Sequence, residues 1–403
     1  MDISYTFNMN IHIERDLKPE LLSMAQSYPV VTIIGPRQSG KTTLVKETFK
    51  HKPYISLENL DEKNFADSDP KSFLERFPDG AILDEIQRTP QLLSYIQGIV
   101  DEKNEKGQFI LTGSHQLSLH EAIAQSLAGR TAILKLLPFS LHELVQSKID
   151  LTLDEYMLRG MYPRIYQDNL NPTKHYSSYV QTYLERDVRK IINVKDLSLF
   201  QKFIKICAGR VGKEFNSESI SNEVGISHHT VREWFSVLEA SFLVFKLQPY
   251  YENFGKRIIK SPKIYFTDVG LVAYLLDITT VEQITRDPLR GFLFENLVVL
   301  DFIKERLNHG FEPNFYYYRD SNKREVDLLF KNGNHIIPLE IKSSKTFVSE
   351  FCNNVEFFKN LVPDRAPFGY VVYAGEQQQW VNDIQIVNFK TAKNVLEYIK
   401  KNT

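Results

Sequence analysis

The chain reads as an α/β protein of several domains. A parallel-sheet domain built round a phosphate-binding loop comes first, then a mainly helical module, then a second α/β domain. Three observations predict this. Residues 30–44 run from an apolar strand through Gly-x-x-x-x-Gly-Lys-Thr into a helix start. Two further apolar runs, 80–85 and 108–114, end in acidic or small polar residues. At 403 residues the chain exceeds one ordinary core, and roughly two to four domains are expected for that length.

The loop is Gly35, Pro36, Arg37, Gln38, Ser39, Gly40, Lys41, Thr42 and Thr43, directly after the strand-like Val30–Ile34. Phosphate binding needs this order. A strand fixes the loop, backbone N–H groups surround the phosphates, and a helix start adds partial positive charge. Lys41 would reach the β- and γ-phosphates of ATP, and the Thr42 hydroxyl would sit on Mg²⁺. Gly80–Glu85 reads as a strand ending in two carboxylates. Asp84 is placed to hold the Mg²⁺ shell and Glu85 to polarise the attacking water. Gln108–Ser114 reads as a third strand. The carboxyl ends of parallel strands face the ligand, so Ser114, or else Thr112, would bond the γ-phosphate or the water. Arg130 precedes the strand-like run 131–137. It reads either as a surface arginine or as a group that stabilises transition-state charge in a neighbouring subunit.

Together these elements resemble the AAA+ ATPases over roughly residues 28–145, with Walker A at 35–42, Walker B at 82–85, the sensor-1 strand ending at Ser114, and Arg130 at the arginine-finger position. The resemblance implies ATP hydrolysis with Mg²⁺, catalysed by Lys41, Glu85, Ser114 and Arg130, and a homo-oligomer. No sensor-2 arginine stands out on a helical lid, which leaves a monomeric, switch-like ATPase open. The expected domains are 1–145 (P-loop AAA+ core), 146–196 (helical lid or linker), 197–280 (winged helix-turn-helix) and 287–403 (α/β C-terminal domain).

Hydrophobic content of 42% and charged content of 25% are those of a folded soluble protein. A net charge of −1 gives no global pull toward nucleic acid, so such binding would use local patches. Cys207 and Cys352 lie far apart with no metal spacing, which suits a reducing compartment. No apolar run is long enough to span a bilayer, and Met1–Glu14 has no signal-peptide pattern. A cytoplasmic protein with no membrane partner is expected.

Residues 141–158 read as one helix, broken by Gly160–Pro163. Residues 177–193 read as an amphipathic helix, where Arg186 or Arg189 is either part of a solvated face or a reporter of nucleotide state. Ser217–Phe235 has helix-turn-helix cadence. Gly225 suits a left-handed helix end and Ser227 can cap the next helix. That helix would expose His228, His229, Arg232 and Glu233 while Val231 and Phe235 turn inward. With strands at 242–249 and 263–266 and the basic segment 256–260, the unit resembles a winged helix. Double-stranded or branched DNA would meet His228, His229, Arg232, Lys256 and Arg257; the alternative is protein docking.

In the last domain Glu295 lies on an apolar helix, and Asp327, Glu340 and Lys342 lie on two strands. Glu340 and Lys342 share a face because strand side chains alternate. Three acids converging would hold Mg²⁺ or Mn²⁺, with Lys342 orienting a water. The constellation resembles the PD-(D/E)xK nuclease fold, with Val326 where the motif has proline. The alternative is the same fold with a structural site. The whole order of modules resembles bacterial and archaeal AAA ATPases with a DUF4143-type C-terminal region. Two functional readings follow: an ATP-hydrolysing, DNA-associated protein with a metal-dependent nuclease-like domain, or an ATP-dependent signalling switch whose C-terminal domain docks a protein partner. A small-molecule kinase would leave the accessory domains unexplained.

Overall fold

The computed structural model describes residues 12–114, 123, 125–184, 197–251 and 261–402. The first domain holds a five-stranded sheet of β1 (Val30–Ile34), β2 (Tyr54–Ser56), β3 (Ile82–Asp84), β4 (Phe109–Gly113) and β5 (Thr131–Lys135). Its order is β2-β3-β4-β1-β5 and every pair is parallel. β1 and β4 are buried at every position, as central strands covered on both faces must be. The registers Ile34↔Gly113 and Leu83↔Leu111 bring the loop after β1, the acids after β3 and the end of β4 to one edge.

The expected single helix over 141–158 is instead two, Leu141–Gln146 and Leu153–Arg159. Each opens on its own capping box, Ser140 with Glu143 and Thr152 with Glu155. Reciprocal side-chain bonds at a helix start satisfy free N–H groups and fix where the helix begins. Helices Pro163–Gln167 and Pro172–Tyr179 follow, and Val180–Leu184 continues as a π-turn. The rest of the 177–193 segment, with Arg186 and Arg189, lies outside the described residues.

The next unit has helices Leu197–Ala208, Ser217–Val224 and His228–Ala240. They are followed by the antiparallel pair β6 (Val244–Leu247) and β7 (Lys263–Phe266). Gly225 ends the middle helix at φ 90°. The Ser227 hydroxyl accepts the Thr230 N–H at 3.0 Å and starts the next. The C-terminal sheet has order β12-β13-β11-β10-β9-β8, with β8 (Phe315–Arg319), β9 (Glu325–Asn332), β10 (His335–Lys342), β11 (Gly369–Tyr373), β12 (Gln379–Val381) and β13 (Ile384–Asn388). β8, β9 and β10 form an antiparallel meander, and β10, β11 and β13 run parallel.

The helix Arg290–Asn308 is the shared core of these parts. It touches β5, β7, β10 and the helices 153–159 and 392–402, and Leu293 to Asn308 are buried. The sequence suggested one buried acid on it, Glu295. The structure also buries Asp301, Lys304, Glu305 and Arg306, because a helix covered on all sides has no solvent face left for its charges. Asp301 and Lys304 find partners in the segment after β5, whereas Arg306 and Glu305 meet Glu312 and His309 at the end of the same helix. Asp301 accepts the Leu141 N–H at 2.8 Å, and Lys304 donates to the Phe139 carbonyl at 2.6 Å. Burial pushes Asp301 up to about 6, Glu305 up to about 7, and Lys304 down to about 8. Among the described residues no helix is long and apolar enough to cross a membrane.

Glu305 supplies a pH test. Its folded pKa, about 7, is above its ordinary 4.5, so the folded chain binds this proton more tightly than the unfolded one. The stability it confers is complete below the ordinary value and is lost as pH rises through 7. Between pH 5 and 8, wild type should lose on the order of 2 kcal/mol relative to Glu305→Gln. Thermal unfolding of both at each pH measures this, and parallel profiles would show that Glu305 does not titrate in that window.

Candidate functional site

The loop after β1 has a special backbone. A Cβ on Gly35 would stand 2.1 Å from the Leu136 carbonyl oxygen, so only glycine lets the two strand exits run side by side. Gln38 has φ 62° and Gly40 has φ 93°. Gly40 then opens the helix Lys41–Thr48. Lys41 is turned back into the loop, its Nζ donating to the carbonyls of Gly35 at 2.9 Å and Pro36 at 2.8 Å. Burial pushes its pKa down to about 8, against the pull of Glu85 and Asp84. Arg37 lies 3.7 Å from Glu58, Ser39 is buried, and Thr43 is exposed on the first turn of the helix.

Asp84 gathers three hydroxyls. Thr42 donates to its two oxygens at 3.2 and 3.0 Å, Tyr54 donates at 2.7 Å, and Thr112 donates to Oδ1. A hydroxyl and a carboxylate touching at a loop of backbone amides are hard oxygen donors of the kind Mg²⁺ takes beside a nucleotide. The residues present therefore fit an ATP–Mg²⁺ pair. Mg²⁺ held by Thr42 and Asp84 would supply neutralisation of phosphate charge.

Glu85 has φ 60° and ψ 46°, a left-handed backbone that costs a non-glycine residue about 1–3 kcal/mol. Its N–H donates to the Thr112 hydroxyl at 3.3 Å, and its carboxylate accepts the Ser114 hydroxyl at 2.9 Å and the Gln87 amide. Ser114 is thus in contact with Glu85. Gln87 bonds both groups, reaching Ser114 at 3.2 Å.

Three contributors were not read from the sequence: Tyr54, Gln87 and, above all, Arg15. The buried Arg15 guanidinium donates to the Ser39 carbonyl at 2.6 Å and the Leu137 carbonyl at 2.7 Å, and pairs with Glu143 at 2.9 Å. It also lies 5.0 Å from the Phe139 ring centre. Glu143 accepts in addition the N–H groups of Asp16 and Ser140, each at 2.8 Å. No motif marks Arg15, because its partners lie 24, 122 and 128 residues away.

Arg130 is placed elsewhere. Its carbonyl accepts the Val30 N–H at 3.2 Å, at the amino end of β1, whereas the loop leaves the carboxyl end. Its guanidinium pairs with Asp101 at 2.5 and 2.8 Å. It is not brought to Lys41 or Glu85 of its own chain. His228, His229 and Arg232 are exposed at the start of helix 228–240. His229 lies 3.4 Å from Glu233, and Arg232 donates to the Ser217 hydroxyl at 3.4 Å. Lys256 and Arg257 lie outside the described residues.

In the C-terminal domain, Asp327, Glu340 and Lys342 come together across β9 and β10. The Lys342 ammonium is 2.5 Å from Glu340 and 3.8 Å from Asp327. Asp327 accepts the Ile341 N–H at 2.8 Å, and Glu340 accepts the Asn354 amide at 3.0 Å. Glu295 does not join them at a common ligand point. Its Oε1 is taken by Lys263 of β7 at 3.0 Å and by the Tyr265 hydroxyl. Lys263 also reaches Glu325 at 2.5 Å. Among the described residues no three His, Cys, Asp or Glu side chains are grouped to hold a metal ion. The three acids expected to converge, Glu295, Asp327 and Glu340, are held by separate lysines, Glu295 by Lys263 and the other two by Lys342. Two lysine ammonium groups stand among the acids, and Glu340 Oε2 is buried without a hydrogen-bond partner. Burial, with Asp327 adding repulsion, pushes Glu340 up to about 8, and burial pushes Glu295 up to about 6.

Three families match successive parts of the chain. Residues 27–145 match an AAA domain, 150–282 a domain of unknown function (DUF8612) and 290–392 another (DUF4143). An uncharacterized protein of Mycobacterium tuberculosis is 29% identical over 339 residues, spanning 82% of this chain and 74% of its own. An uncharacterized protein of Haemophilus influenzae is 22% identical over 403 residues, spanning 91% and 95%. The solved Walker-type ATPase of Pyrococcus abyssi superposes with a TM-score of 0.44 at 14% identity, over 66% of this chain and 96% of that one.

The Lys263–Glu295 pair is testable by unfolding. Lys263→Met leaves Glu295 buried without its cation and should cost about 3 kcal/mol or more. Adding Glu295→Leu should recover part of that loss. Urea midpoints for the two single variants and the double give the coupling, and strictly additive losses would mean that the pair is not coupled.

Proposed function

We propose that this chain, in which an AAA domain is joined to DUF8612 and DUF4143 regions, is an ATP-hydrolysing switch whose nucleotide state sets how its later modules dock on a protein partner. The observation that supports it most is the direct contact of Thr42 with Asp84, beside a Glu85 carboxylate held by Ser114 and Gln87. Lys41 would leave the carbonyls of Gly35 and Pro36 for the β- and γ-phosphate oxygens. Glu85, aimed by two side-chain donors, would orient and polarise the attacking water. Ser114 is then a positioning residue for Glu85, and Thr112 for Asp84.

Protein docking is favoured over nucleic-acid cleavage by the state of the later modules. The C-terminal acids carry their own lysine counter-ions. Among the described residues, the exposed start of helix 228–240 offers one arginine, with His229 beside Glu233. Gripping a duplex takes several phosphate contacts. Turnover of ATP should therefore be the same with and without duplex or branched DNA. A salt-sensitive rise in rate would place nucleic acid as the partner instead.

Lys41→Ala should abolish ATP binding, and retained binding would refute the loop assignment. Glu85→Gln should bind ATP but turn it over about 100-fold more slowly; an unchanged rate would put the base elsewhere. Because Arg130 sits at the far edge of its own sheet, a catalytic contribution would go to the site of another copy. Specific activity should then climb with protein concentration and stop climbing in Arg130→Ala. A flat profile in wild type would remove Arg130 from catalysis.

A further inference from the structure

The segment 137–143 links the first domain to the rest of the chain, and it is gripped from two sides. On one side Arg15 bonds the Leu137 carbonyl and the Glu143 carboxylate while its third nitrogen holds the Ser39 carbonyl of the phosphate loop. On the other side two groups of helix 290–308 hold the same segment. Asp301 accepts the Leu141 N–H at 2.8 Å, and Lys304 donates to the Phe139 carbonyl at 2.6 Å. Arg15, Glu143, Asp301 and Lys304 are all buried. Inside a protein such bonds are strong, and leaving one member unpaired is costly. On its outer face the loop lies against Arg15 and Pro163. A Cβ at Gly40 would stand 3.3 Å from Arg15 and 3.8 Å from Pro163.

We propose that Arg15 is a positioning residue for the phosphate loop, and that Arg15, segment 137–143 and Asp301 form the connection by which bound nucleotide is felt in helix 290–308. This rests on the reading of the loop as an ATP site. The physical basis is geometric. Phosphate entering the loop draws Lys41 off the carbonyls of Gly35 and Pro36 and resets the backbone at Ser39–Gly40. The Ser39 carbonyl cannot shift without moving the Arg15 fork, and the fork cannot move without the Leu137 carbonyl and Glu143. Segment 137–143 then shifts against Asp301 and Lys304. The same helix carries Glu295, which faces Lys263 of β7, so the movement reaches the seam between the three-helix unit and the C-terminal sheet. A ligand shifts an equilibrium only through such differential contacts.

The test uses the full chain and two readouts. The first is the binding curve for ATP with Mg²⁺. The second is amide hydrogen exchange of peptides covering 137–143 and 293–308, with and without saturating ATP. In wild type, ATP should change exchange in both by about 3-fold or more. Asp301→Leu should keep ATP affinity and the change at 137–143 but lose most of the change at 293–308, leaving the share carried by Lys304. Asp301→Asn, which keeps an acceptor for the Leu141 N–H, should restore it. Lys304→Met, which drops the bond to Phe139, should weaken it by an independent route. Arg15→Lys should lower turnover more than it weakens ATP binding, because a single ammonium cannot hold both carbonyls. If wild type binds ATP without any change at 293–308, or if Asp301→Leu keeps that change, the connection is wrong while the ATP site stands. If wild type binds no ATP, the site reading fails and the proposal falls with it.

Discussion

A single buried guanidinium joins the loop after β1 to the segment after β5. Arg15 meets two carbonyls and one carboxylate within 2.6–2.9 Å, which uses its fork as few other side chains can. The arrangement carries a large desolvation cost, and a buried pair of this kind adds little net stability against an apolar substitute. Its value is positional. It ties a residue just before the helix Lys18–Ser27 to a loop, a strand exit and a capping box. Glu143 accepts three donors and is also the third residue of the helix that Ser140 caps. The loop geometry and the start of the next element are therefore one constraint.

Helix 290–308 depends on that constraint and extends it. A helix buried on all sides would ordinarily be apolar all round, yet this one carries Asp301, Lys304, Glu305 and Arg306 inward. Asp301 and Lys304 are tolerated because the segment after β5 presents backbone partners, the Leu141 N–H and the Phe139 carbonyl. Each such bond is lost if the modules separate, so the buried polar groups specify how the parts fit rather than adding much to net stability.

The charge cluster of the last domain shows how one added cation changes the chemistry of a set of acids. Asp327 and Glu340 with Lys342 could read as a metal-binding edge if Glu295 turned toward them. Lys263, entering from β7 in a different module, pairs with Glu295 and with Glu325. The acids that the sequence offers as ion ligands lie along a seam of ion pairs with Lys263 and Lys342.

Features whose partners are close in sequence could be read from the chain alone. The strand–loop–helix order at 30–48, the acids at the end of β3, the small residues ending β4, and the turn from Gly225 to the Ser227 cap each depend on backbone rules acting over a few residues. The common edge occupied by the loop, Asp84 and Ser114 also follows from parallel strands, because parallel strands share a carboxyl end. Local pattern misled where an unread local stop intervened: the two capping boxes divide 141–159 into two helices. Tertiary structure alone decided that Arg15 braces the loop, that Tyr54 and Thr112 hold Asp84, that Arg130 faces away from its own loop, and that Lys263 fills the acid cluster. In each case the partners lie at least 24 residues apart. Periodicity and spacing carry no signal over that range, whereas burial of a charge makes its distant partner obligatory once the chain has folded.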